Sequence, residues 1–255
     1  MPASHERQHE LIEKCGPGSI SRLADHHLAG NDGTTCNLFP SIEYMVDEAS
    51  CGTSNLEVEG FRGFRHVRCP WAAPNPCRCG RHDLHIDSLI VAVDGACPGN
   101  GTPRATKSAY GIFYGEDAED NMSISIWDEP GYSHTSQRAE LWAAIGAIVL
   151  SEKFFRRGGQ WDCTGCPTPC VVTHFIIKSD SAYLVNGMTS HIKKWRQNDW
   201  RTAKGTEVKN RDLWTRLDEL TRDSLKTGVA IDFWLVPREE NQDADYLANL
   251  GLEKC

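Results

Sequence analysis

Apolar and polar positions along the chain fall into short blocks of different period. The clearest is Leu89-Ile-Val-Ala-Val93, an unbroken apolar run of strand length that stops on Asp94. A run this rich in valine and isoleucine predicts a strand buried on both faces. The Gly95 that follows predicts a sharp bend, which sets Asp94 near the middle of a sheet and beside a turn. Ser108 to Tyr114 and Met122 to Trp127 are two further strand-like runs separated by an acidic, Asn-containing turn, so they continue a meander. Leu141, Ile145 and Ile148 then recur at helical spacing up to about Arg156, with Thr135 or Ser136 placed to cap the helix. Val171 to Lys178 is a second buried strand, and it too runs into an acid, Asp180. Leu213, Leu217 and Leu220 mark an amphipathic helix, Val229 to Val236 a last strand, and Asn241 to Leu250 a closing helix. Three antiparallel strands followed by helix and strand units predict an α/β fold, with a five-stranded mixed sheet flanked by helices.

The text before this block is different. Residues 1 to 65 are rich in Gly, Ser, Asn, Asp and His, with a short helical pattern only at His9 to Glu13, and are expected to form a mostly disordered extension. Residues 66 to 86 hold Cys69, Cys77, Cys79 and His82, dense in soft ligands, and an insert before the second buried strand holds Cys163, Cys166 and Cys170. Their spacing matches no common zinc finger, although Cys163 and Cys166 are placed like a knuckle pair. A structural Zn²⁺, in one shared site or two, and plain thiol-bearing loops are both open. The third part, 87 to 255, is the expected main domain.

Composition narrows the function classes. The net charge of −8 gives no global attraction to phosphate, so a nucleic-acid contact has to come from a local patch. No apolar run approaches a membrane span and no signal core opens the chain, so a cytoplasmic or nuclear protein with no membrane contact is expected. Without a secretory signal, eleven cysteines read as thiols or metal ligands rather than a disulfide framework.

Asp94 and Asp180 follow buried strands, and Glu140 and Asp245 lie near the starts of helices, so a sheet with those helices packed on it can bring all four together. Four acids in a low-dielectric pocket with no matching cations repel one another, and divalent ions relieve that repulsion. Oxygen-only ligands favour Mg²⁺ or Mn²⁺. Taken singly, Glu140 and Asp245 also have the plain explanation of complementing a helix dipole.

Asp94-Gly-Ala-Cys-Pro-Gly-Asn-Gly, Thr135-Ser-Gln-Arg-Ala-Glu140-Leu, Ser179-Asp180-Ser-Ala-Tyr and Asn241-Gln-Asp-Ala-Asp245-Tyr-Leu-Ala stand in this order along the chain. Together with the stretch from Asn186 to Trp214 they resemble the type 1 ribonuclease H family, over about Asp87 to Leu252. The resemblance implies an RNase H-like fold and a metal-dependent endonuclease that cuts the RNA strand of an RNA–DNA hybrid. It implies two divalent ions, Mg²⁺ or Mn²⁺, held by Asp94, Glu140, Asp180 and Asp245, and it selects Asp245 over Asp243 as the fourth acid. It further implies that Asn100 and Gln137 read the 2′-hydroxyl, and that Thr135 and Asn210 hold phosphates of the DNA strand. The segment 191 to 211 is similar to the family's basic handle. It carries seven basic residues against two acids, with Trp195 and Trp200 interleaved, and Lys193, Lys194 and Arg196 are its first cations. A monomer is expected.

The chain departs from the family at Ser136, often Asn there, at Ser133, near which the family has an Arg, and at His191, where an aromatic channel residue is usual. The loop between Pro237 and Asn241 is too short for the mobile histidine many members carry. Its Arg238, a permanent cation, is the nearest candidate to stabilise charge on the reacting phosphate. A weakly active or inactive nucleic-acid-binding module is the alternative to an enzyme. A cysteine-rich interaction protein using the fold as a scaffold is a third reading.

Overall fold

The computed structural model describes residues 57–60, 63–68, 84–127, 131–155 and 172–254. The seven cluster residues Cys69, Cys77, Cys79, His82, Cys163, Cys166 and Cys170 lie outside these residues, as does the expected helix at His9 to Glu13.

The described chain forms a sheet of seven strands with five α-helices. The strands are β1 (Glu57–Glu59), β2 (Arg65–Arg68), β3 (Leu84–Ala96), β4 (Ser108–Phe113), β5 (Met122–Ile126), β6 (His174–Ser179) and β7 (Ala230–Leu235). The helices are α1 (Ser136–Phe155), α2 (Ala182–Asn186), α3 (Ile192–Gln197), α4 (Arg211–Lys226) and α5 (Gln242–Leu252). A π turn at Gly187–His191 joins α2 to α3.

The five expected strands are β3 to β7. β3 pairs antiparallel with β4 and β4 with β5, while β6 adds parallel to the other edge of β3 and β7 parallel to β6. The two added strands come from the N-terminal side. β1 and β2 form an antiparallel hairpin whose second strand pairs with the first half of β3, so part of the expected disordered extension belongs to the sheet. No strand period is legible there because each strand is only three or four residues long.

The apolar run of β3 explains the layering. Leu89, Val91 and Val93 point to one face and join Phe175, Ile177, Ile231 and Phe233 of β6 and β7 in the main core, under Leu141, Ala144 and Ile148 of α1 and Leu213 and Leu217 of α4. On the outer face α5 covers β4, β5 and the end of β3. Beyond α5, Ile90, Ile176, Trp234 and Val236 form a second cluster with Val67 of β2. The hairpin curls back over this part, bringing the Glu57 carboxylate onto the Lys178 ammonium of β6, and both side chains are largely buried. Lys178 also lies 5.5 Å above the Trp234 ring.

Candidate active site

Each acid is set by a different element. Asp94 is in β3 opposite Gly111 of β4, and β3 continues through Ala96, so Gly95 sits in a strand and not in the bend its sequence suggests. Its role is close approach. A Cβ on Gly95 would fall 2.3 Å from the backbone nitrogen of Glu140, and one on Gly111 would fall 2.4 Å from the carbonyl oxygen of Ala244. The two missing side chains let α1 and α5 lie against the sheet on either side of Asp94. Thr135 begins α1: its carbonyl accepts from Ala139 N and its Oγ1 from Arg138 N at 3.2 Å. Because the helix starts at Ser136, no acid stands in its first turn, and the dipole explanation for Glu140 falls away. Asp180 leaves the end of β6, next to the Ser181 that caps α2. Asp245 stands in the first turn of α5, where Asp243 is exposed.

The four carboxylates act on one another. Burial pushes the Asp94 carboxyl up to about 7, with Asp180, Asp245 and Glu140 adding to it and the Gly95 N–H opposing. Burial also raises Glu140, against a hydrogen bond from Ser181, and Asp180 raises it further. The Ser181 hydroxyl donates to Glu140 Oε2 and its Oγ accepts from Leu184 N. Arg238, in the 3₁₀ turn before α5, donates to Asp245 Oδ1 at 2.9 Å, and Asn249 Nδ2 reaches Oδ2 at 3.1 Å. Among the described residues, no three His, Cys, Asp or Glu side chains stand close enough to grip an ion as placed. The donor chemistry nevertheless suits a hard divalent cation: oxygen ligands only, mutually repelling, with a proton held on Asp94 where a cation is lacking.

Sequence reasoning missed Asn241, which is 2% exposed. Its Nδ2 donates to Asp180 Oδ1 at 2.9 Å and to the Val93 carbonyl at 3.1 Å. It opens the last motif, but nothing local in the sequence marks its partners.

The residues expected to meet nucleic acid divide. Asn100, exposed in the loop after β3, accepts at Oδ1 from Ser136 N at 3.1 Å and so ties that loop to the start of α1, beside Thr135 and Gln137. Asn210 adopts a left-handed backbone at φ 60° and donates to the Tyr183 hydroxyl, which also accepts from Trp214 Nε1. In the handle, Lys193, Lys194 and Lys204 are exposed. Arg196 turns inward to the buried Asp218 of α4, at 3.6 Å, and serves to fix α3. Trp195 packs on Trp214 with ring centroids 5.2 Å apart and lies 6.4 Å from Trp200. Gly187 makes room for Trp214, since a Cβ there would come within 2.0 Å of its ring. Arg138, between Glu140 and the cap, makes a two-pronged ion pair with Asp212 of α4 at 3.0 and 2.8 Å.

Against known proteins, the sequence profile of the RNase H family matches residues 87–253. The chain belongs to the RNase H family. Its relatives include mouse Ribonuclease H1, 30% identical over 172 residues that make up 66% of this chain and 51% of that protein. Ribonuclease H of Rhodopseudomonas palustris (strain BisB5) is 35% identical over 170 residues, 65% of this chain and 93% of the relative. The match thus spans about half the length of the mammalian family member and nearly all of the bacterial one. Among solved structures, RNase H1 of Halobacterium salinarum is 20% identical, with 66% of this chain and 99% of that one covered and a TM-score of 0.39. LC11-RNase H1 in complex with an RNA/DNA hybrid is 19% identical, with 65% and 96% covered and a TM-score of 0.42.

Proposed function

We propose that this chain is a ribonuclease H that hydrolyses the RNA strand of RNA–DNA hybrids with two divalent ions, Mg²⁺ or Mn²⁺. The observation that carries the reading is the convergence of Asp94, Glu140, Asp180 and Asp245 from four elements: burial pushes Asp94 up to about 7, and the other three carboxylates add to the rise. Asp94, Glu140, Asp180 and Asp245 are the residues that would hold a pair of divalent ions, and such ions would supply activation of a water and charge stabilisation at the leaving 3′ oxygen. The chain supplies the rest. Ser181 holds Glu140 by one oxygen and so orients the carboxylate, whose other oxygen would be the one to bind an ion. Arg238 pairs with Asp245 from an exposed turn, where its permanent charge would also serve to stabilise charge on the reacting phosphate. Asn100 and Gln137 face the 2′-hydroxyl of the RNA strand, Thr135 and Asn210 the DNA phosphates, and Lys193, Lys194 and Lys204 the backbone beyond.

The test is cleavage of labelled RNA–DNA hybrid, duplex RNA and duplex DNA with and without Mg²⁺, by the parent and by Asp94→Asn. The expected result is metal-dependent cutting of the RNA in the hybrid alone, lost in Asp94→Asn while hybrid binding stays within a few-fold. Residual activity above about 10% in that variant would overturn the four-acid reading, since each ligand charge is needed to hold the ions. Binding without cleavage by the parent would leave a nucleic-acid-binding module.

A further inference from the structure

Among the described residues, Asn241 ties together the supports of three of the four acids, two through its side chain and one through its backbone. Its Nδ2 spends both hydrogens on β3 and Asp180: one goes to the carbonyl of Val93, the residue before Asp94, and one to Asp180 Oδ1. Its backbone carbonyl accepts from Asp245 N at 3.1 Å and so starts the helix that carries the fourth acid. Its backbone N–H is fixed in turn by the Arg238 carbonyl.

The orientation of the amide follows from its partners. Reversing it would set an oxygen against both a carboxylate and a carbonyl, which only a donor can satisfy. With Nδ2 so placed, Oδ1 is buried and has no hydrogen-bond partner among the described residues. A side chain serving only to cap α5 would have no need for this arrangement, and a buried orphan acceptor is costly. The residue accepts that cost where it can hold a carboxylate still.

We propose that the Asn241 side chain is a positioning group for the metal centre, fixing the spacing of Asp94 and Asp180 so that the acids can load cations in register. The inference rests on the acid cluster being a metal site, as in the function proposed above. Donors that orient a metal-binding carboxylate typically contribute 10- to 100-fold in affinity or activity. Asn241→Ala removes the donor, and Asn241→Asp keeps the shape but sets a second carboxylate against Asp180.

The experiment titrates Mn²⁺ into the full-length parent, both variants and a remote control by calorimetry, with thermal unfolding and hybrid cleavage measured alongside. The control is Ser151→Ala, which removes the partner of the buried Tyr114 hydroxyl far along α1 and so reports the cost of losing a buried hydrogen bond away from the acids. Mn²⁺ affinity is expected to fall about 10- to 100-fold in Asn241→Ala and further in Asn241→Asp, with kcat falling in parallel and hybrid Kd unchanged. Ser151→Ala is expected to lose thermal stability with Mn²⁺ affinity intact. If Asn241→Ala binds Mn²⁺ as tightly as that control, Asn241 merely supports α5 and the proposal is wrong. Should the parent bind Mn²⁺ yet leave the hybrid uncut, the ribonuclease reading fails while the Mn²⁺ comparison still decides the role of Asn241.

Discussion

At Asp94, burial and three neighbouring carboxylates act in the same direction, so the cation-free molecule keeps a proton there up to about pH 7. The unfolded chain gives that proton up near the ordinary value of 3.8. The folded pKa is therefore the higher one. The stability tied to this group is fully present below about pH 4 and is lost as pH rises through about 7. In EDTA, Asp94→Asn is expected to match the parent near pH 4 and to become progressively more stable than it above pH 5, by at most about 4 kcal/mol at pH 8. Thermal unfolding of both proteins across pH 4 to 8 measures this, and a gap that does not widen with pH would show that burial and the neighbouring carboxylates do not raise Asp94. The four acids are legible in the sequence because each stands inside a local motif. Asn241 is not, because its two partners lie 61 and 148 residues away.

On the scale of elements, the basic handle is legible as a charge pattern but not as a division of labour. Pattern alone treats Lys193, Lys194 and Arg196 as equals, whereas the fold turns Arg196 under α3 to Asp218 and leaves the lysines outside. Neutralising Lys193, Lys194 and Lys204 together is expected to reduce the slope of log K against log salt for hybrid binding by up to about 3 units, one for each phosphate that no longer meets a cation. Arg196→Ala should instead lower the unfolding temperature and leave the slope alone. Equal slopes for parent and triple variant would make the handle a solvated face. β3 to β7, α1, α4 and α5 are legible because their periods are strong, although β3 starts before the apolar run; α2 and α3 are too short to show a period, and Gly95 reads as a turn and is not one. A glycine inside a strand looks the same in sequence whether it bends the chain or clears space for a helix, and only the neighbouring Glu140 backbone decides.

For the whole molecule, the family match starts at residue 87, but the folded unit starts earlier. The hairpin of β1 and β2 adds Val67 to the outer cluster and supplies the carboxylate that neutralises Lys178. Glu57→Gln would strand a buried ammonium, an expected loss of about 3 kcal/mol in urea unfolding, and Glu57→Leu with Lys178→Met together should recover most of it. If Glu57→Gln unfolds like the parent, the hairpin is only laid against the sheet. The Glu57 and Lys178 pair also sets a timetable. The two residues are 121 positions apart, so a ribosome adding 5 to 20 residues per second makes the hairpin roughly 6 to 24 s before β6 exists to receive it. During that interval Val67 lacks its partners Ile176, Trp234 and Val236 and faces water or a chaperone. The earliest part of this sheet to be synthesised is among the last that can be completed.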